Sequence, residues 1–215
     1  MGNKYKPTIE SLAKQGALHP QEAPMLIKRD SNSLLIGIPK ESQPYETRVC
    51  LTPESVGLLV ANGHDVVVES GAGLKANYSD RAYSESGARI VYSSKEVFET
   101  TIILKIDPPT LEEIGLIKPS TTVISALQMN QLTIEYLVAL NKKRINGVAF
   151  ELLEDKGGTK PVVRSISEIA SLCVVSIAGE LLSSTRNGMG VVFGGIVGVP
   201  PLNVLILGAG TIGEN

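Results

Sequence analysis

The sequence contains no tryptophan and only three phenylalanines and six tyrosines among 215 residues. That leaves little aromatic surface on which nucleic-acid bases could stack. Positive charge is not in excess either: 20 Lys and Arg stand against 22 Asp and Glu, a net charge of −2. Nucleic-acid binders usually show a basic face, so no nucleic-acid partner is expected. Cysteine and histidine are scarce. Cys50 and Cys173 are too few for a disulfide framework, and their apolar neighbours mark them as reduced core thiols. His19 and His64 lie far from each other and from the cysteines, so no metal-ligand cluster is expected. Residues 1–20 hold no apolar run of the signal-peptide kind. Lys6 stands where an N-myristoylation signal starting Met1-Gly2 needs Ser or Thr. The expected location is cytoplasmic.

What is present suits a packed domain. The chain is 43% hydrophobic and 20% charged, which excludes disorder as its main state. At roughly 150 residues per domain, its length allows one domain and part of a second. One run, Gly188–Gly213, is nearly free of charge and long enough to span a bilayer. Its eight glycines and Pro200-Pro201 oppose a helix, so it reads as loop plus buried strand. No membrane insertion is expected, a membrane span being the alternative for this run.

Along the chain, residues 1–33 form a basic N-terminal arm with one short amphipathic stretch, Ile9–Leu18. From Leu34, short aliphatic runs alternate with helical patterns. The strand-like runs are Leu34–Ile38, Asp65–Glu69, Arg89–Tyr92, Ile102–Ile106, Thr122–Ser125, Gly147–Phe150 and Val204–Leu207. They are apolar without alternation, as strands covered on both faces are. Thr52-Pro53 opens a helix that Gly63 closes. Ser93 with Glu96, and Ser165 with Glu168, have capping-box spacing. Leu132, Tyr136 and Leu140 share one helical stripe. Ser165–Ser184 is the longest helical pattern and apolar nearly all round. Glu154–Gly158 reads as a turn between two short strands. Strand–helix alternation predicts an α/β fold: a Rossmann-like parallel sheet with helices on both faces, followed by the start of a second nucleotide-binding Rossmann domain. The expected divisions are the arm 1–33, a substrate (catalytic) domain 34–164, a crossover helix 165–187 and the truncated NAD-binding start 188–215.

Several features carry chemistry. Gly208-Ala209-Gly210-Thr211-Ile212-Gly213 follows an apolar strand, which is the context a dinucleotide fingerprint needs. Gly208 would make the tight turn, Gly210 would let backbone approach a pyrophosphate, and Gly213 would let the next helix pack. The acidic residue for the ribose, expected ~20 residues on, would lie beyond Asn215. Arg48, before a helix start, offers a planar fork of donors for a small carboxylate, or else a surface ion pair. Lys105-Ile106-Asp107-Pro108-Pro109 lies at a strand exit, where open α/β sheets collect ligands. Lys105 and Asp107 either face a ligand or pair with each other. Gln128 lies at the next exit. Ser165 and Glu168 cap a helix, leaving Ser167 free for a ligand.

Ile36-Gly37-Ile38-Pro39-Lys40-Glu41, Glu46–Pro53, Glu69–Gly73, Ile103-Leu104-Lys105, Gly194–Pro201 and Gly208–Gly213 occur in one order. Together they resemble the opening of alanine dehydrogenase and of the alpha subunit of NAD(P) transhydrogenase, over about residues 34–215. The resemblance implies a two-domain oxidoreductase that takes L-alanine and NAD to pyruvate and ammonium. It implies that Arg48 binds the substrate carboxylate, with Lys105, Asp107 and Gln128 lining the substrate side. Ser167, Gly208, Gly210 and Gly213 would meet the cofactor. The partners it implies are a small amino acid or 2-oxo acid and further copies of the same chain in a homo-oligomer. Two positions depart from the dehydrogenase pattern: Asp107 stands where a second lysine is usual, and Gln128 where a histidine is usual. Transhydrogenase subunits also lack that pair, whereas the stretch ending in Ser167-Glu168 follows the dehydrogenases. A transhydrogenase-type subunit and a non-catalytic carboxylate-binding module therefore stand as alternatives. The chain by itself is expected to be an N-terminal fragment that binds NAD poorly and catalyses nothing.

Overall fold

The computed structural model describes residues 33–215, so the arm up to residue 32, with its amphipathic stretch, lies outside the described residues. Six strands form one sheet: β1 (Leu35–Ile38), β2 (Asp65–Glu69), β3 (Arg89–Val91), β4 (Ile102–Leu104), β5 (Thr122–Ser125) and β6 (Asn146–Ala149). Every pairing is parallel and the order is β3-β2-β1-β4-β5-β6. The chain winds outward from β1 to β3, returns beside β1 as β4, and winds outward the other way. Where the winding reverses, the connections leave β1 and β4 on opposite faces. That opens a crevice at the carboxyl ends of these two strands, the usual ligand position in such sheets.

Helices α1 (Pro53–Ala61), α2 (Asp80–Glu85), α3 (Ser94–Phe98), α4 (Leu111–Leu116) and α5 (Ile134–Lys142) connect the strands. The Thr52 hydroxyl accepts the Ser55 N–H, Pro53 supplies a preset first turn, and Gly63 at φ 87° lets the chain leave α1. Alternation along β2 divides the core. Val66 and Val68 pack with Ile38, Val56 and Tyr83 on one face, and Val67 packs with Val97, Phe98, Ile103 and Val123 on the other. The expected stripe of Leu132, Tyr136 and Leu140 packs against that second cluster. Full burial of each such side chain contributes roughly 1.5–3 kcal/mol, so covering both faces is what holds the sheet.

Other expectations need correction. The crossover helix, α6, runs Pro161–Leu182, four residues earlier than the capping signal suggested. Pro161 at its first turn, rather than Ser165, starts it. Ser165 lies inside the helix and donates to the Pro161 carbonyl, while Glu168 pairs with Arg164 one turn back. Ser93 precedes α3 but its side chain makes no cap; the Ser94 hydroxyl instead donates to Glu69. The turn at 154–158 exists, with Asp155 accepting the Gly157 and Thr159 N–H groups, but no strands flank it. Val204–Leu207 is neither a strand nor buried, its residues being 63–89% exposed. A lone strand leaves its peptide groups unpaired, and no neighbouring strand is present among the described residues to pair with it. Cys173 is exposed on α6 and not in a core, while Cys50 is half-buried. Among the described residues, α6 is the one helix long and apolar enough to cross a membrane, whereas the run 188–213, expected as loop plus buried strand with a membrane span as the alternative, holds no such helix. A short helix, α7 (Thr211–Glu214), closes the described chain.

Candidate functional site

The crevice between β1 and β4 is floored by buried charge. The Glu41 carboxylate, just past β1, accepts the Ile106 N–H at 2.6 Å and the Asp107 N–H at 3.4 Å. It thereby ties the β1 exit to the β4 exit. Lys105 follows β4 directly and is fully buried. Its ammonium donates to both Glu113 oxygens, at 2.9 and 3.1 Å, and lies 3.6 Å from Glu41. Glu113 also accepts the Thr110 N–H while Thr110 accepts the Glu113 N–H, a capping box that starts α4. Burial pushes the Glu41 carboxyl above its ordinary pKa, against the pull of the Ile106 N–H and the Lys105 charge. Lys105 does not pair with Asp107: its ion-pair partners among the described residues are Glu41 and Glu113.

Arg48 sits on the loop between β1 and α1. Its Nε donates to Glu46 Oε1 at 2.9 Å and its Nη2 to Glu46 Oε2 at 2.6 Å. The Arg48 backbone N–H also donates to Glu46, at 2.8 Å. Glu46 is buried whereas the Arg48 side chain is about half exposed (53%). One edge of the guanidinium is therefore locked to Glu46, and Nη1 is left for an incoming carboxylate. The Arg48 hydrogen bond holds the Glu46 carboxyl below its usual range, and Glu46 in turn raises Arg48. Lys75 anchors this loop by donating to the carbonyls of Gln43, Pro44 and Glu46.

Beside this loop is a cavity of about 340 Å³ whose wall includes Gln43, Tyr45, Asp107, Gln128, Gln131 and Tyr136. Asp107 Oδ2 and the Tyr136 hydroxyl are buried there without hydrogen-bond partners. Burial raises the Asp107 carboxyl and Glu46 adds to the rise, while Lys105 and Arg48 oppose it. Burial, then the nearby Glu113 charge, pushes the Tyr136 hydroxyl up to about 12. Gln128 holds a left-handed backbone at φ 47°, ψ 58°, and its N–H donates to Glu151 at 2.7 Å. Such a conformation is costly for a residue with a Cβ.

The structure thus gathers Asp107 and Gln128 on one cavity, places Arg48 on the adjoining loop, and sets Lys105 beneath the floor. Glu41, Glu46, Lys75, Glu113 and Tyr136 were not singled out as site residues. Glu41 and Glu46 lie in the motifs quoted above and Tyr136 on the helical stripe, and Thr110 with Glu113 has capping-box spacing in the sequence. Their convergence on the site, with Lys75, is a product of tertiary contact.

The candidate cofactor residues meet elsewhere. Ser167 on α6 and Gly208, Gly210 and Gly213 line one larger cavity of about 800 Å³ with Phe193 and Leu207. Gly208 has φ 110°, and a Cβ on Gly213 would lie 2.2 Å from the Gly208 carbonyl oxygen. Nothing lies within 4 Å of a Cβ built on Gly210. A tight turn at the first glycine, open space at the second and close approach at the third fit a pyrophosphate-holding turn.

Comparison with known proteins gives the same assignment from sequence and from structure. Residues 37–170 match the family model described as alanine dehydrogenase/PNT, N-terminal domain. An alanine dehydrogenase of Methanococcus maripaludis is 37% identical over 186 residues, covering 85% of this chain and 49% of the relative. One of Bacillus subtilis is 33% identical over 182 residues, covering 85% and 48%. A solved L-alanine dehydrogenase superposes with a TM-score of 0.79 at 32% identity, over 84% of this chain and 50% of that one. A transhydrogenase from Sinorhizobium meliloti superposes with a TM-score of 0.62 at 30% identity, over 67% and 43%. The chain spans about half the length of the curated relatives it matches.

Proposed function

This chain belongs to the alanine dehydrogenase/PNT N-terminal domain family, and from that premise we propose that it supplies the substrate-binding half of an NAD-dependent oxidoreductase that converts L-alanine to pyruvate and ammonium. The observation that carries this reading is the half-exposed Arg48 fork beside a polar cavity at the sheet's reversal point. Arg48 keeps Nη1 for the substrate carboxylate while Glu46 fixes the other edge and hence the direction of approach. Asp107 is the carboxylate of the cavity wall and Gln128 a neutral donor and acceptor. Lys105 acts from below: by pairing with Glu41 and Glu113 it holds the β4 exit, and so Asp107, in place. Gly208, Gly210 and Gly213 would hold the pyrophosphate of NAD, with Ser167 on the same cavity. NAD, when bound, supplies the hydride acceptor. The same reading extends to a cytoplasmic homo-oligomer.

The test is reduction of NAD by the whole protein with L-alanine. NADH formation is expected, and Arg48→Met should raise KM for L-alanine by ~10–100-fold, the worth of a charge-assisted hydrogen bond. Absence of NADH formation overturns the activity. A second reading, a transhydrogenase-type subunit, draws support from Asp107 and Gln128 and from the transhydrogenase superposition. It requires hydride exchange between two nucleotides with no amino acid present. Alanine binding without any turnover would instead indicate a carboxylate-binding module.

A further inference from the structure

The wall of the 340 Å³ cavity carries one charged side chain, Asp107. The remaining polar side chains there are the amides of Gln43, Gln128 and Gln131 and the hydroxyls of Tyr45, Thr110, Thr133 and Tyr136, which can accept as readily as donate. A cation that could neutralise Asp107 stands only two residues away in sequence, but the Lys105 ammonium is fully buried and already paired with two carboxylates. Asp107 Oδ2 is itself buried with no donor to satisfy it among the described residues. A buried acceptor without a donor is costly, and a ligand that brings a donor recovers that cost.

We infer that Asp107 is the ammonium-binding residue of this site, so that the cavity selects the α-amino acid over its 2-oxo counterpart. This rests on the proposed amino-acid oxidoreductase. An α-amino acid carries a carboxylate and an ammonium on one carbon. Arg48 and Asp107 offer the complementary pair of charges on adjoining loops, near enough for each to shift the other's proton affinity. In a 2-oxo acid the ammonium is replaced by a carbonyl oxygen. That oxygen would face the Asp107 carboxylate, acceptor against acceptor. Sites built around a hydrogen bond of this kind reject analogues that cannot make it, because the protein group is then left buried and unpaired.

The test is calorimetric titration of the full chain by L-alanine, pyruvate and propionate, with NADH in place of NAD and no ammonium present, so that neither direction of the reaction turns over. These ligands share the carboxylate and differ at the α-substituent. L-alanine should bind at least ~10-fold more tightly than the other two. Asp107→Asn should remove that preference, bringing the three affinities together, and Asp107→Lys should shift it toward pyruvate. Thermal unfolding of each variant at the wild-type temperature confirms that the fold is kept. If pyruvate binds as tightly as L-alanine, or Asp107→Asn keeps the preference, the inference is overturned. If the three ligands bind equally and Arg48→Met weakens all of them, the carboxylate site stands and only the role of Asp107 falls. If none binds, the role of Asp107 and the proposed function fall together.

Discussion

Replacing Lys105 by Met tests whether the floor of the site is held by charge. Met keeps an unbranched chain of similar volume, so little cavity is created. What changes is electrostatic. The side chains of Glu41 and Glu113 are only 6% and 14% exposed, and both would face the vacated position. Removing one partner from a buried ionic cluster costs about 3–5 kcal/mol, because the remaining charge is uncompensated. With a urea slope of ~2 kcal/mol per M, a loss of ~4 kcal/mol lowers the unfolding midpoint by ~2 M. Far-UV circular dichroism is the suitable probe, since the chain has no tryptophan. Glu113→Gln supplies the second arm. Its amide oxygen can still accept the Thr110 N–H of the capping box, so the substitution removes mainly charge. The double variant should be more stable than the sum of the single losses predicts, by ~1–3 kcal/mol. The deficit of Lys105→Met should also shrink in acid. Burial already raises the Glu41 pKa, and a raised carboxyl favours folding only while it is protonated. That gain is complete below the unfolded value of ~4.3 and is lost as pH rises through the folded value. A loss under ~1 kcal/mol for Lys105→Met, the size expected of an exposed pair, would refute this account.

Three further outcomes follow from the same geometry. Gln128→Gly should raise Tm by ~1–4 °C, because it relieves a left-handed backbone at a residue with a Cβ; a fall in a thermal scan would show that the Gln128 side chain holds the loop. Glu46 behaves oppositely to Glu41: its pKa is lowered by Arg48, so its contribution is present above ~4.3 and lost as pH falls through the folded value. Glu46→Gln should accordingly flatten the acid side of the stability profile measured by urea titration at several pH values. Gly37→Ala should destabilise the sheet by about 1–3 kcal/mol in the same denaturation assay, because a Cβ there would lie 2.4 Å from Thr100 Oγ1 and 2.5 Å from the Val97 carbonyl oxygen.

Much of the architecture was legible in the sequence because it is encoded locally. Asp65–Glu69 and Thr122–Ser125 are strands with the expected bounds, and Thr52-Pro53 with Gly63 brackets α1. Apolar runs without alternation can be stable only when both faces are covered, which leaves few arrangements besides a parallel α/β sheet. Local signals misled where tertiary partners decide the outcome. Ser165 and Glu168 have the spacing of a cap but lie inside a helix that Pro161 begins. Val204–Leu207 has the composition of a strand and no strand beside it among the described residues.

For the site, the sequence by itself determined which residue types stand at the strand exits: Arg48 after β1, Lys105 and Asp107 after β4, Gln128 after β5. Tertiary structure alone decided what each is free to do. Lys105 and Asp107 are two residues apart and looked like equal candidates for a ligand. Folding brings Glu113 from α4 and Glu41 from the β1 exit onto Lys105, and brings no donor to Asp107 Oδ2. The energy of a buried charge depends on what surrounds it in space, and here those surroundings come from segments as far as 64 positions away in the chain.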